Sequence, residues 1–433
     1  MKKQYLSAFA LALFASTAFA QITTRDQANK QIEALEIVNQ AAATTAKSAV
    51  ASASDADGYN SAVKTFYKAI DGSKVYFTNS ARGGKNYLTV SPDFAVAGDR
   101  TNTPTAENVF ELQYNETNNG FVLKHAVTGR MLKNLPGLYT PIPTTSEEGG
   151  SYSFVPSGQN NTFSLRNDAA GGNQNFLHLA NDKNGARYNV VRWNAGSGAI
   201  NDASTWSLEN ASNVTDDELF EAAGERFMAL NLLDAPLGNS FGQRFVSEET
   251  KATLQKFKNA QADLGDVQDL LSAYADKTSF TFNMPAAGDF FRIKSNDGSR
   301  YVTANGATDS AWQLQTTTDS TDEGTIFGYD GSHLVSLSTG RAVYLKGDSK
   351  AKLAKYDETN FGTVEFGTTP DNKYAVYVKQ GQQTATMYLY QEASKPGVDG
   401  LGGKNTGHVL THLQLEEVAS VPVHLNTAGL ATF

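Results

Sequence analysis

Two kinds of local pattern alternate along this chain, and the alternation occurs twice. Residues 24–70 and 216–276 carry apolar residues at helical spacing. Residues 74–209 and 288–418 contain short runs of alternating apolar residues between clusters of Gly, Asn, Asp, Ser and Thr, a pattern typical of many short strands. The order of helix, strand block, helix and strand block indicates an internal duplication, and it favours two similar strand-rich domains.

Three hairpin signals recur in each strand block. The second predicted hairpin has the same turn in both blocks: two apolar runs are joined by Thr128-Gly129-Arg130 in the first block and by Thr339-Gly340-Arg341 in the second. Both turns thus contain a glycine and a basic residue. The predicted strand pairs are 75–79 with 86–88, 121–124 with 131–132 and 163–165 with 176–179 in the first block, and 291–295 with 301–302, 333–337 with 341–343 and 374–378 with 387–390 in the second.

Several of these runs end in an aromatic-x-aliphatic step. The clearest are Phe110-Glu111-Leu112, Trp206-Ser207-Leu208 and Trp312-Gln313-Leu314. With the hairpin turns, they resemble the ricin-B-type β-trefoil over roughly 72–210 and 288–418. The usual Gln-x-Trp of that family is not present in that form. The resemblance implies an α+β multi-domain protein with two β-trefoil-like all-β domains, each preceded by a helical hairpin, and lectin-like binding. A β-sandwich or another small barrel is the competing fold.

The domain order follows from these patterns. We predict a signal peptide (1–20), a helical hairpin (21–71), a β-trefoil-like domain (72–210), a second helical hairpin (211–279), a second β-trefoil-like domain (280–418) and the start of a further strand or a truncated C-terminal module (419–433).

The first twenty residues have the pattern of a secretory signal peptide. Lys2 and Lys3 precede an apolar run over 5–14, and Ala18-Phe19-Ala20 offers a small-x-small cleavage pattern. The run is too short for a membrane span. We therefore expect a secreted, cell-surface or periplasmic protein that is cleaved near Ala20.

Composition removes several classes of function. The chain has 433 residues, a net charge of −9, no cysteine and no run of basic residues. A missing basic stripe argues against binding to nucleic acid or to anionic membranes. The absence of cysteine excludes disulfides, thiolate metal sites and cysteine nucleophiles. We expect no cofactor and no membrane span.

Two short motifs suggest chemistry, but their surroundings argue against it. Residues 238–242 fit the Gly-x-Ser-x-Gly pattern, which needs a buried strand before Ser240, whereas a helical segment precedes it. His408 and His412 are four residues apart, as zinc ligands on a helix are, but the residues between them favour a strand. The sequence predicts neither a catalytic residue nor a metal site.

The densest group of aromatic and planar polar residues lies between 178 and 194. Sugars bind to aromatic faces and to planar hydrogen-bonding groups, and residues 190–194 are similar to a Val-Val-x-Trp-Asn run in the third unit of ricin-like β-trefoils. The candidate carbohydrate-binding residues are His178, Asn181, Asp182, Arg187, Trp193 and Asn194 in the first block and Tyr388 and Tyr390 in the second. Trp206 and Trp312 are predicted to be core residues, whereas burial and exposure of Trp193 are both open.

The function favoured by the sequence is non-catalytic binding of a glycan or polysaccharide, by a whole protein or by the binding portion of a larger glycan-acting protein. One alternative is a structural, adhesion or protease-inhibitor-type trefoil protein, because fold alone does not decide function. A hydrolase with unrecognised catalytic residues is the other, since scattered acidic residues cannot nominate a catalytic pair.

Overall fold

The computed structural model describes residues 22–157, 161–167, 175–194, 200–305, 313–345, 351–355, 362–369, 372–380, 383–392, 395–401, 413–422 and 424–425. The predicted signal peptide, Trp312, His408 and His412 lie outside the described residues. The chain divides into two compact units: unit 1 comprises Met1–Phe227 and Glu249–Asp276, and unit 2 comprises Met228–Glu248 and Lys277–Phe433.

The helices lie in the two segments with helical spacing. They are α1 (Arg25–Glu33), α2 (Gln40–Ser52), α3 (Ala56–Ala69), α4 (Asp216–Ala229), α5 (Glu248–Lys258) and α6 (Leu264–Ala275). Each segment thus holds three helices where a hairpin of two was predicted. Asn39 supplies the extra boundary in the first segment and Asp55 caps α3, because their side chains accept the backbone N–H groups of Ala42 and Gly58 at 3.0 and 2.9 Å. Among the described residues, no helix has the length and apolar character needed to cross a membrane.

Unit 1 contains one sheet of twelve strands. They are β1 (Ser73–Asn79), β2 (Asn86–Val90), β3 (Val96–Arg100), β4 (Val109–Asn115), β5 (Gly120–His125), β6 (Met131–Leu132), β7 (Thr144–Thr145), β8 (Tyr152–Pro156), β9 (Thr162–Asn167), β10 (Asn175–Asn184), β11 (Arg187–Asn194) and β12 (Trp206–Asn210).

Six of these strands close into a ring. β1 pairs with β4, β4 with β5, β5 with β8, β8 with β9, β9 with β12, and β12 returns to β1. The other six form the pairs β2–β3, β6–β7 and β10–β11. The sheet therefore consists of three repeats, β1–β4, β5–β8 and β9–β12, and each repeat has two ring strands around one hairpin.

Phenylalanines fill the ring of unit 1. Phe154 meets Phe77, Phe121 and Phe163 at ring-centroid distances of 6.2, 5.4 and 4.7 Å, and all four are buried. Trp206 is fully buried, as predicted, and its indole N–H donates to the carbonyl of Leu177 at 3.0 Å. Burial of each such ring stabilises the fold by roughly 1.5–3 kcal/mol relative to exposure.

Unit 2 contains a two-stranded sheet and a second sheet of twelve strands. The first is β13 (Arg244–Phe245) with β14 (Thr281–Phe282). The second comprises β15 (Phe290–Ser295), β16 (Tyr301–Thr303), β17 (Gln315–Thr317), β18 (Ile326–Tyr329), β19 (Leu334–Ser336), β20 (Arg341–Leu345), β21 (Ala351–Lys355), β22 (Thr363–Thr368), β23 (Tyr374–Gln380), β24 (Gln383–Glu392), β25 (Lys395–Leu401) and β26 (Leu413–Glu417).

The larger sheet of unit 2 repeats the strand pairing of unit 1. With β15 taken as the counterpart of β1 and β26 as that of β12, every pairing in this sheet has its counterpart in unit 1. Two pairings of unit 1 have no counterpart among the described residues of unit 2: β19 does not pair with β22, and β23 does not pair with β26. All six hairpins predicted from the sequence are confirmed by antiparallel pairing.

Candidate functional site

The hairpin β10–β11 brings together two of the predicted site residues. Phe176 pairs with Trp193 and His178 with Val191, so His178 and Trp193 are diagonal neighbours on one face of the hairpin. Their rings stack with centroids 4.9 Å apart and an interplanar angle of 21°. His178 is buried and Trp193 is half-buried. The imidazole therefore supports an indole that still reaches the surface.

Hydrogen bonds fix the ring of His178 at both nitrogens. Nε2 lies 3.3 Å from Nη2 of Arg82, and Nδ1 lies 2.9 Å from Oγ of Ser204. A guanidinium can only donate, so Nε2 accepts and the neutral ring carries its proton on Nδ1, which donates to Ser204. Burial, with the nearby charge of Arg82, lowers the pKa of His178 to about 4. His178 is therefore a neutral, oriented support near pH 7.

A loop from another repeat completes the aromatic cluster. The segment 133–143, between β6 and β7, runs along β11, where the N–H of Tyr139 donates to the carbonyl of Arg192 at 3.0 Å and that of Ile142 to Val190 at 3.1 Å. The ring of Tyr139 meets Trp193 edge-on with centroids 5.3 Å apart. Tyr139 is 65% exposed and has a φ of 60°, a left-handed backbone that a bulky residue rarely adopts.

The side chain of Arg192 fastens this loop to the hairpin. Its Nε donates to Oδ1 of Asn175 and its Nη1 to the carbonyl of Pro136, both at 2.9 Å. Beside Tyr139, Leu138 is 47% exposed. Positive φ in a bulky residue costs free energy, and such strain persists only where surrounding contacts impose it. The loop contacts thus hold a tyrosine and a leucine at the surface next to Trp193.

The remaining predicted residues do not join this cluster. Asn181 and Asp182 are exposed within an irregularity of β10, and Oδ2 of Asp182 accepts from Nδ2 of Asn189 at 2.6 Å. Arg187 is half-buried and close enough to the half-buried Glu107–Arg226 ion pair to influence the pKa of Glu107.

Three predicted residues are placed by their backbone alone. Asn194 pairs with Asn175 at the end of the hairpin. Tyr388 and Tyr390 lie in β24 of unit 2, opposite Asp399 and Gly397. The side chains of all three lie outside the described residues.

Sequence patterns missed the residues that come from outside the hairpin. Arg82 lies between β1 and β2, Tyr139 between β6 and β7, and Ser204 just before β12. One signal was available for Tyr139: the Leu138-Tyr139 pair lies in a loop that contains three prolines, at 136, 141 and 143. Nothing in the local sequence points to Arg82 or Ser204, because only the ring of strands brings them to His178.

The structure offers no support for catalysis at Ser240. Ser240 is exposed in the loop between α4 and β13, and it does not follow a buried strand. Its backbone carbonyl accepts from the N–H of Gln243 at 3.0 Å, and Gly242 has a φ of 72°, so both features belong to a turn. Within the described part of the chain, no group of three or more His, Asp or Glu residues is arranged to hold a metal ion.

Comparison with known proteins gives no match to a protein-family model and no match among curated proteins. Among solved structures, the chain is similar to a mosquitocidal holotoxin at a TM-score of 0.30 and 10% identity, over 80% of this chain and 34% of that one. It thus spans about a third of the holotoxin's length. Two smaller proteins are similar to part of it at a TM-score of 0.26. They are the designed three-fold symmetric ThreeFoil (16% identity, 31% of this chain, 98% of that one) and the Rhizoctonia solani agglutinin (14%, 32% and 95%).

Proposed function

We propose that this chain is a non-catalytic, lectin-like carbohydrate-binding protein whose sugar site lies in unit 1, on the surface formed by Trp193, Tyr139 and His178. The observation that carries the proposal is the half-buried indole of Trp193, stacked on one imidazole and braced by an exposed tyrosine. Flat aromatic surface on a rigid hairpin suits the apolar C–H faces of a pyranose ring, and nearby polar groups can bind its hydroxyls.

The fold proposal is that both units are ricin-B-type β-trefoils. It is supported by the closed ring with three hairpins in unit 1 and by the strand pairing that unit 2 shares with it. We place the two trefoils at 72–210 and 280–418 and propose that the helical segments are spacers. If residues 1–20 are removed as a signal peptide, the protein meets its glycan outside the cytoplasm. N-terminal sequencing of exported protein should then begin at Gln21.

Substitution of the aromatic residues tests the sugar site. In calorimetric titrations against a panel of soluble polysaccharides, Trp193→Ala should weaken binding at least about tenfold, because aromatic anchors dominate binding energy. Tyr139→Ala should weaken binding less, since it braces Trp193 from one edge. Phe245→Ala is the control, because Phe245 is a 38% exposed aromatic residue of unit 2.

The interpretation depends on intact folding. Trp193 is half-buried, so each variant is also compared with the parent chain by thermal unfolding and near-ultraviolet circular dichroism. A folded Trp193→Ala variant that binds its polysaccharide as tightly as the parent chain would contradict the proposed location of the sugar site. A chain that binds no polysaccharide in the panel would contradict the function.

A second candidate function uses the same loop. Leu138 and Tyr139 are 47% and 65% exposed on a loop that is tied to β11, and projecting anchored loops also serve protein recognition. If the loop inhibits a protease, a panel of secreted proteases should include one that the parent chain inhibits and that Leu138→Asp does not. Saccharides should then leave the inhibition unchanged.

A further inference from the structure

Arg82 places a positive charge beside the aromatic cluster. The residue lies in the loop between β1 and β2, is half-buried and has a φ of 66°. The hydroxyl of Tyr188 donates to its carbonyl at 3.4 Å, and Nδ2 of Asn86 donates to the neighbouring carbonyl of Ala81 at 2.9 Å. The loop is therefore held in an unfavourable backbone conformation that directs this side chain to β10.

The guanidinium of Arg82 meets only neutral groups in the described part of the chain. Nε and Nη2 donate to the carbonyl of Leu179 at 3.1 and 3.0 Å, and Nη2 also faces Nε2 of His178. Nη1 donates to no described acceptor, and no described carboxylate lies within ion-pair distance. Buried or half-buried charges are normally paired, because desolvation without a counter-charge is costly.

A second cation lies next to this loop. Arg100 donates to the carbonyl of Gly83, the residue next to Arg82, and it too has no ion pair among the described residues. Asp182, an acidic residue further along the hairpin, is bound by Asn189. Lys85, in the same loop, is paired with Glu209, so Arg82 and Arg100 are the two cations here without an ion pair among the described residues, in a chain with a net charge of −9.

We propose that the ligand of the site is an acidic saccharide, whose carboxylate binds the guanidinium of Arg82 while its pyranose ring lies against Trp193. The proposal rests on the sugar site proposed above and adds the class of sugar. Arg82 and Trp193 both contact the imidazole of His178, one at Nε2 and the other across its face, so the charge and the stacking surface are neighbours. A guanidinium with free N–H groups is well suited to a planar carboxylate.

Matched acidic and neutral oligosaccharides test this proposal. The probes are tetramers of galacturonic, glucuronic and mannuronic acid, each beside the neutral tetramer of galactose, glucose or mannose, in calorimetric titrations at low and high salt. At least one acidic tetramer should bind about tenfold more tightly than its neutral partner, since hydrogen bonds to charged groups are the stronger class. Added salt should reduce the difference.

Variants of Arg82 assign the preference to its charge. Arg82→Gln should lower the affinity for the acidic tetramer to that for its neutral partner, whereas Arg82→Lys should keep part of the preference. Lys64→Gln removes an exposed positive charge on α3 and should change neither affinity. Titration with sodium acetate alone should show no measurable binding, because a carboxylate without the sugar lacks the stacking contact.

A second readout is the ring of His178. A bound carboxylate offsets the charge of Arg82, so binding of the acidic tetramer should raise the pKa of His178. The pH dependence of the ring signals of His178 in NMR spectra measures this pKa. If acidic and neutral tetramers bind equally well, or if Arg82→Gln lowers the affinity for both equally, the ligand is not an acidic saccharide, while the proposed sugar site is retained. Failure of every oligosaccharide and polysaccharide to bind would overturn the sugar site itself.

Discussion

A single neutral histidine organises the candidate site at the scale of residues. His178 donates to Ser204, accepts from Arg82 and stacks against Trp193, so these contacts depend on the protonation state of one ring. A protonated ring could not accept from the guanidinium and would repel it. The buried position of the ring keeps it neutral.

The protonation state of His178 gives a pH prediction. Its pKa is about 4 in the folded chain and about 6.5 in an unfolded one. Between these values the unfolded chain binds a proton that the folded chain does not, so this residue's contribution to stability is lost as pH falls from about 6.5 to 4. NMR titration should show a midpoint near 4 with the proton on Nδ1, and Arg82→Gln should raise it. A midpoint near 6.5 would contradict the burial account.

Residue-scale features were predicted from sequence only where they are local. His178 and Trp193 share one hairpin, so the local density of aromatic and planar polar residues was enough to nominate both. Tyr139 and Arg82 come from other repeats, and their approach depends on the closure of the ring, which no local pattern encodes. The prediction that Trp206 belongs to the core is confirmed, since a large aromatic residue in an alternating strand is usually buried.

At the scale of elements, two glycines differ in what surrounds them. A Cβ on Gly150, just before β8, would lie 2.7 Å from the backbone nitrogen of Asn134, so the chain would have to move. A Cβ on Gly224, inside α4, would have nothing nearer than a ring carbon of Phe257 at 3.9 Å.

Opposite changes in stability should follow from the same substitution at these glycines. Gly150→Ala should destabilise unit 1 by about 1–3 kcal/mol through the clash, whereas Gly224→Ala should stabilise it by about 0.5–1 kcal/mol because alanine favours the helix. Urea unfolding of each variant measures both. A stabilised Gly150→Ala variant would show that the loop beside β8 can move without cost.

Arg244 is a buried cation of unit 2. Its side chain is fully buried, donates to the carbonyls of Phe280 and Asn372, and lies 4.1 Å from the ring centroid of Phe282. It therefore connects the segment before α5 to β14 and to the turn before β23.

Removal of this cation should cost more than removal of an exposed one. Arg244→Met should destabilise unit 2 by about 3 kcal/mol, because buried carbonyls lose their donor. Lys379→Met removes an exposed partner of Glu365 and should cost less than about 1 kcal/mol. Thermal unfolding compares the two, and equal effects would contradict a structural role for Arg244.

Strand hairpins were predicted better than helices. Each hairpin combines two alternating runs with a turn, and both signals lie within a few residues of each other. The helical segments were predicted as two helices each, and in the first segment the apolar spacing continues past the cap at Asn39, which divides the first predicted helix. A cap is one side chain, and its effect on the chain depends on local backbone geometry.

At the scale of the whole molecule, the two large sheets share their strand pairing but differ in sequence at the position of Trp193. Asn189 of β11 pairs with β3, and Gly397 of β25 pairs with β17. Counting four residues onward from each places Leu401 at the position of Trp193. β25 contains no aromatic residue at all.

One binding site per chain is therefore expected. Calorimetric titration with an oligosaccharide should give a stoichiometry of one, and Trp193→Ala should weaken all of the binding, because Leu401 stands at the position of the indole in unit 2. A stoichiometry of two, with binding left in Trp193→Ala, would place a second site in unit 2. Tyr388 and Tyr390 are then the first residues to replace.

The side chains that accompany His178 in the candidate site come from three different repeats: Arg82 from β1–β4, Tyr139 from β5–β8 and Trp193 from β9–β12. Duplication of a single repeat during evolution would thus copy its strands without copying the complete candidate site. A chimera that receives any single repeat from unit 2 should keep its strand order and bind its ligand more weakly, because one of the three side chains is then missing.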